Sequence, residues 1–335
     1  MASSTLAITP SLRRKLGEWL QEDLGRGDLS APAVRGQTGA AHWLAKANGV
    51  FCGGVLLQPL ISELVGPARQ QVELQLLVAD GAKIAPGDRL LELSGPAEVL
   101  VALERTALNL VMRLSGIATA TAALVQQLDG SGVQLADTRK TTPGLRELEK
   151  YAVRCGGGLN HRMGLDDAAM LKENHLAWAG GVVSAIKAVR AEAPWPARVI
   201  VEAETVEEAE AAVAAGADGV LLDELSAQQL SSLVPMLRAL ALDRVGGSSV
   251  VLEASGVNPA DLKAYSQTGV DLISTSAPVT RSSWLDLSMR FTPLENGFRV
   301  APLLLVLLCI ANALQVQLCE PIQPAFAELE VLPFS

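Results

Sequence analysis

Between residues 133 and 276, short apolar runs alternate with amphipathic stretches, and this rhythm limits the chain to few folds. The runs fall at 133–136, 168–171, 199–201, 219–222, 249–252 and 270–273. Helical spacing fills 145–153, 182–193, 206–214, 227–240 and 259–265. Runs that are apolar throughout belong to strands covered on both faces, and strands separated by helices pair in parallel. Two of the helix starts are marked. Thr205 followed by Glu208 forms a capping box, and Asn258 precedes Pro259 at a first helical position.

The residue that ends each run is the second constraint. Asp137, Lys172, Glu202, Asp223, Glu253 and Ser274 stand at the C-terminal edges of the six runs. In a β/α barrel such positions converge on one mouth, where reactive side chains collect. An open doubly wound sheet spreads them along an edge instead. The pattern favours an incomplete α/β, TIM-like barrel of about six parallel strands, over 116–277. Residues 1–115 read as a separate α/β layer. A helix at 11–24 presents Leu12, Leu16, Trp19 and Leu20 on one face. Short apolar runs at 40–45, 49–57, 72–78 and 89–93 come next, punctuated by Ala79-Asp80-Gly81 and Pro86-Gly87-Asp88, and helical spacing returns at 99–114.

Charge narrows the function. The chain carries 27 basic and 36 acidic residues, a net charge of -9, which argues against a nucleic-acid coat. The four Cys (Cys52, Cys155, Cys309 and Cys319) show no C-x-x-C spacing and indicate neither a disulfide framework nor a zinc site. A reducing, cytoplasmic setting fits, and residues 1–16 lack the apolar stretch of a secretion signal. Residues 300–319 are uncharged, but Pro302, Asn312, Gln315 and Gln317 make them a poor membrane span. The expected role of 292–335 is an apolar extension that packs or stays disordered, with membrane contact as the minor alternative.

Cations gather against this acidic background. From Arg139 to Lys172 there are seven basic and four acidic residues. The segment Asp137-Thr138-Arg139-Lys140-Thr141-Thr142-Pro143-Gly144 lies just past the first barrel strand and suits an anion, since Arg grips a carboxylate or phosphate by two bonds and Lys adds a point charge. Three glycines before Leu159-Asn160-His161-Arg162 allow close backbone approach and bring two more polar side chains. Helix-face pairing of Arg146 and Lys150 with Glu147 or Glu149 is expected to be solvated, which leaves Arg139, Lys140, Arg162 and Lys172 for a small, multiply anionic substrate. Glu202 and Asp223, on adjacent strands, suit Mg²⁺, sugar hydroxyls or positive charge developing on carbon, or else serve as ion-pair partners. Small residues at Ser255-Gly256 and 274–277 suit a phosphate seat.

Together these segments resemble the quinolinate phosphoribosyltransferase family across residues 12–291. Besides the 137–144 and 156–162 strings, the likeness is carried by 22–28 (Glu-Asp-Leu-Gly-Arg-Gly-Asp), 104–109 (Glu-Arg-Thr-Ala-Leu-Asn), 114–119 (Leu-Ser-Gly-Ile-Ala-Thr), 172–175 (Lys-Glu-Asn-His) and 285–289 (Leu-Asp-Leu-Ser-Met). The resemblance implies an N-terminal α/β sandwich, joined again by 278–291, and an incomplete barrel. It implies a homodimer with shared active sites, and transfer of phosphoribose from phosphoribosyl pyrophosphate to quinolinate. Decarboxylation then gives nicotinate mononucleotide, pyrophosphate and CO₂. By resemblance Arg105 from the partner chain, Arg139, His161, Arg162 and Lys172 hold quinolinate. Lys140, Glu202 and Asp223 face the phosphoribosyl group and Mg²⁺, and Ser255, Gly256, Ser274 and Ser276 seat the 5′-phosphate.

The sequence departs from the family pattern where Val257-Asn258 come after Gly256, one residue short, and where Ser276 replaces the usual Gly. Two rival readings stand beside this one: an aldolase-like barrel with a Schiff base on Lys172, and a non-catalytic binding protein.

Overall fold

A computed structural model describes residues 5–66, 72–243 and 249–293. Helix α1 (Pro10–Leu24) starts where the Thr9 hydroxyl accepts the Leu12 N–H at 3.1 Å, and it buries Leu12, Leu16 and Leu20. The chain continues through β1 (Thr38–Ala45), β2 (Gly49–Val50), α2 (Leu57–Val65), β3 (Glu73–Leu76), β4 (Lys83–Ile84) and β5 (Arg89–Pro96). The apolar run at 49–57 is therefore divided. Gly53, at φ 112°, turns the chain out of β2 into a single 3₁₀ turn before α2.

Helix α3 (Ala97–Gln127) is a single 31-residue helix that passes without a break through the boundary expected at 115/116. By length and composition it could cross a membrane. Here its residues Leu100, Leu103, Ala107, Val111 and Leu114 are buried in the core of the N-terminal layer.

Six parallel strands form the second layer: β6 (Gln134–Ala136), β7 (Ala169–Leu171), β8 (Val199–Ala203), β9 (Gly219–Asp223), β10 (Val251–Ser255) and β11 (Leu272–Ser274). They pair in the order β6-β11-β10-β9-β8-β7, so the barrel stays open between β6 and β7. The intervening helices are α4 (Arg146–Cys155), α5 (Glu173–Ala179), α6 (Val182–Glu192), α7 (Val206–Ala214), α8 (Ala227–Asp243) and α9 (Leu262–Tyr265). After α10 (Ala277–Thr280), β12 (Leu287–Pro293) returns to the first layer and pairs with β1, giving an antiparallel sheet ordered β12-β1-β5-β3.

Side chains alternate along the barrel strands as the pleat requires. Val199, Val201, Ala203, Val220, Leu222, Leu252, Ala254 and Ile273 are buried in the core beneath the helices. Between them Met170, Glu202, Leu221, Asp223, Glu253, Ser255 and Ser274 line a cavity at the mouth.

Several expectations shift. Strand β10 covers 251–255 rather than 249–252, so Glu253 lies within the strand and not at its end. Polar residues facing a barrel interior end an apolar run without ending the strand. Thr205 does cap α7, accepting the Glu208 N–H at 3.2 Å, but the Glu208 carboxylate reaches back one residue further, to the Glu204 N–H at 3.0 Å. Asn258 accepts the Ala260 N–H at 3.2 Å and starts a 3₁₀ turn before α9. Thr292 and Pro293 complete β12 rather than beginning an extension, and the apolar segment 300–319 lies outside the described residues.

Candidate active site

Asp137 comes directly after β6 and is 2% exposed. Its carboxylate pairs with the Lys150 ammonium and accepts Asn160 Nδ2–H at 2.7 Å and the His161 backbone N–H at 2.8 Å. One buried group thus ties together the two cation-bearing loops and α4. Burial pushes the Asp137 carboxyl up and the Lys150 ammonium down, while their mutual contact opposes both shifts.

The solvated charge pairing expected on α4 is not what forms. Glu149 and Lys150 are both completely buried. Glu149 accepts the Thr142 N–H at 2.8 Å and the Thr142 hydroxyl at 2.9 Å, and pairs with Arg113 of α3 at 3.1 Å. Arg146 donates Nε–H to the Thr141 hydroxyl at 3.0 Å and reaches the Met163 carbonyl at 3.1 Å. These contacts hold the far end of the 139–142 loop. Leu148, Tyr151, Ala152, Val153 and Cys155 are also buried, so α4 is covered on most sides and Glu149 and Lys150 are internal struts.

The glycine segment after α4 works by close approach. A Cβ on Gly156 would lie 2.4 Å from the Ala118 carbonyl and 2.5 Å from Thr121 Cβ, so only glycine lets the segment press on α3. Leu159 then donates to the Leu135 carbonyl at 2.7 Å and accepts from Asp137 N–H at 3.0 Å, lying beside β6 at the barrel opening. This placement sends His161 and Arg162 inward. Arg162 is 9% exposed and donates to the Ala168 carbonyl at 2.9 Å. Burial first, and then the charge of Arg139, lower its pKa from the usual guanidinium value. Beside this segment Cys155 comes together with Cys52 and Asp80, their ligating atoms within 4.8 Å of one another, a juxtaposition that spacing along the chain cannot show.

At the C-terminal ends of the strands these elements enclose a cavity of about 370 Å³. Arg139, Lys140, His161, Arg162, Lys172, Glu202, Asp223, Ser255, Gly256 and Ser274 line it, all of them candidates on sequence grounds. Lys172 pairs with Glu202, and the His175 ring caps α5 by accepting the Lys172 N–H at 3.1 Å. Among the described residues, Arg139, Lys140 and Arg162 make no ion pair with a carboxylate. Unpaired cations held this close favour an anion in the space between them. A half-exposed Lys172 paired with a carboxylate is not the desolvated amine a Schiff-base barrel needs.

An adjoining cavity, also about 370 Å³, is lined by Lys140, Ser255, Gly256, Ser274, Thr275, Ser276 and Arg281. Hydroxyls, backbone and two cations suit a phosphate. Sequence reasoning misses Arg281; its position just past α10 is the available signal. It misses Glu224 too, which lines the mouth in the left-handed region at φ 55°, packed on Gly256. Arg105 is exposed on α3 and lines neither cavity.

Comparison with known proteins matches residues 28–115 to the quinolinate phosphoribosyl transferase N-terminal domain and 117–290 to its C-terminal domain. The probable nicotinate-nucleotide pyrophosphorylase (carboxylating) of Synechocystis is 43% identical over 277 residues, which is 82% of this chain and 90% of that protein. The human nicotinate-nucleotide pyrophosphorylase (carboxylating) is 35% identical over 284 residues, 84% of this chain and 91% of that one. The crystal structure of NadC from Streptococcus pyogenes superposes with a TM-score of 0.79 at 35% identity, covering 87% of this chain and all of that one. The strand-end cluster and both domain matches agree: this chain belongs to the quinolinate phosphoribosyltransferase family.

Proposed function

We propose that this mouth carries out the reaction named for the family's members: phosphoribosyl transfer from phosphoribosyl pyrophosphate to quinolinate, with decarboxylation, in NAD biosynthesis. The observation that carries the reading is the cluster of Arg139, Lys140 and Arg162, which make no ion pair with a carboxylate among the described residues and line one cavity with Glu202 and Asp223. The quinolinate ring nitrogen attacks the anomeric carbon while the bond to pyrophosphate breaks. The ring then loses the carboxylate next to its now cationic nitrogen as CO₂, and a proton replaces it to give nicotinate mononucleotide.

Each group has a physical task. Arg139, Arg162 and Lys172 hold the two carboxylates. Their charge, with that of the ring nitrogen, offsets the negative carbon left by decarboxylation. Lys140 faces the pyrophosphate, and Glu202 and Asp223 offset positive character at the anomeric carbon. Ser255, Gly256, Ser274 and Ser276, joined by Arg281, seat the 5′-phosphate. No covalent nucleophile is required.

Glu202 and Asp223 project from adjacent strands into the same cavity, a carboxylate donor set that fits Mg²⁺. When bound, the ion would neutralise charge on the pyrophosphate. Arg105, exposed and away from its own mouth, is free to enter a second copy's site, which supports a homodimer with shared sites. The free thiols of Cys52 and Cys155 support a reducing, cytoplasmic setting.

The test is product formation from quinolinate, phosphoribosyl pyrophosphate and Mg²⁺, monitored by chromatography. Wild type is expected to make nicotinate mononucleotide, Lys140→Ala and Glu202→Ala to lose at least about a hundredfold in kcat/KM, and chelation with EDTA to stop turnover. A folded wild-type chain that makes no product contradicts the reading.

A further inference from the structure

We propose that Glu253 is a positioning residue that acts through His161 to set Arg162 against the diacid; this rests on the phosphoribosyl-transfer reading of the mouth. Glu253 lies in β10 on the same rung as Glu202, since both register with Leu221 of β9. It is 3% exposed. Its Oε2 stands 3.2 Å from His161 Nε2, and its Oε1 is buried with no hydrogen-bond partner among the described residues. A buried carboxylate oxygen left unpartnered is costly, and such groups persist where they do something.

The partners of the ring settle which way it works. His161 Nδ1 accepts the Arg162 backbone N–H at 2.7 Å, so the ring proton is left on Nε2, facing Glu253. Nδ1 is thereby occupied inside the protein, and Nε2 faces the Glu253 carboxylate. Through Nδ1 the imidazole holds the residue that follows it, Arg162. Arg162 is fixed at its backbone by His161 and at its guanidinium by the Ala168 carbonyl. His161, Arg162 and Glu253 also form the wall between the mouth and a second cavity of about 660 Å³ on the other side.

The chain has three His, so imidazole ¹H–¹⁵N spectra of the full-length protein can resolve His161. In wild type the ring is expected as the Nε2–H tautomer. Glu253→Ala is expected to lose that preference and to raise KM for quinolinate by about tenfold or more. KM for phosphoribosyl pyrophosphate should stay within about twofold under the same reasoning. Glu253→Gln keeps an acceptor and is expected to restore most of both readouts. His161→Ala should match Glu253→Ala, with no further loss in the double variant. The proposal is overturned if Glu253→Ala leaves the ring signal and the quinolinate KM as in wild type, or raises both KM values alike. If Glu253→Ala does not fold, an unchanged quinolinate KM in His161→Ala overturns it. A wild-type protein without turnover would refute the reading of the mouth, while the ring spectra would still decide whether Glu253 orients His161.

Discussion

Glu149 and Lys150 are adjacent, oppositely charged and completely buried, each committed to a different partner. Replacing Lys150 with Met removes one member of a buried pair and leaves Asp137 uncompensated. Unfolding free energy is expected to fall by about 3–5 kcal/mol, measured by urea denaturation, and a loss under about 1 kcal/mol would mean that the pair contributes as little as a surface one. At this scale the cations of the mouth are legible in the sequence because they lie in dense polar strings at strand ends. The struts beneath them are hidden. Periodicity sorts residues by polarity, so it sends Glu149 and Lys150 to solvent, and a buried ion pair across Asp137 and Lys150 leaves no local trace. Glu253 stands out for its place after an apolar run, but the run stops at the residue that turns inward, and the strand does not.

The elements that carry the mouth depend on a few close approaches. Gly156 presses the end of α4 against the backbone of α3 and directs the segment leading to His161 and Arg162. Gly156→Ala is expected to cost about 1–3 kcal/mol of stability through overpacking, with a fall in kcat/KM for quinolinate; thermal melting beside steady-state assay checks both. An unchanged melting midpoint would show that the contact yields easily. The order of strands and helices in the barrel is readable because each strand is apolar throughout and each helix has its own face. The continuation of α3 past Leu114 is not, because the contact that requires a glycine at 116 is remote in sequence. Inside the helix, Gly116 makes room for the Ser283 carbonyl, 2.0 Å from where a Cβ would stand, and that neighbour lies 167 residues away.

Across the whole molecule, the return of β12 to β1 ties the end of the described chain to the first layer, and α3 runs from that layer to the barrel. Arg105 sits on α3 and outside its own mouth. If two copies share sites, Arg105→Ala and Arg139→Ala chains, each inactive alone, are expected to regain about a quarter of wild-type activity when mixed, because half the dimers would hold one intact site. No recovery after exchange of subunits is established by native mass spectrometry would remove the shared site. The central claim is narrower: Arg139 and Arg162, brought together from two loops, grip the diacid. Calorimetric titration of quinolinate into the full chain tests it most directly. The expected result is that Arg139→Ala and Arg162→Ala each weaken binding by about tenfold or more; affinities within about twofold of wild type in both variants would contradict it.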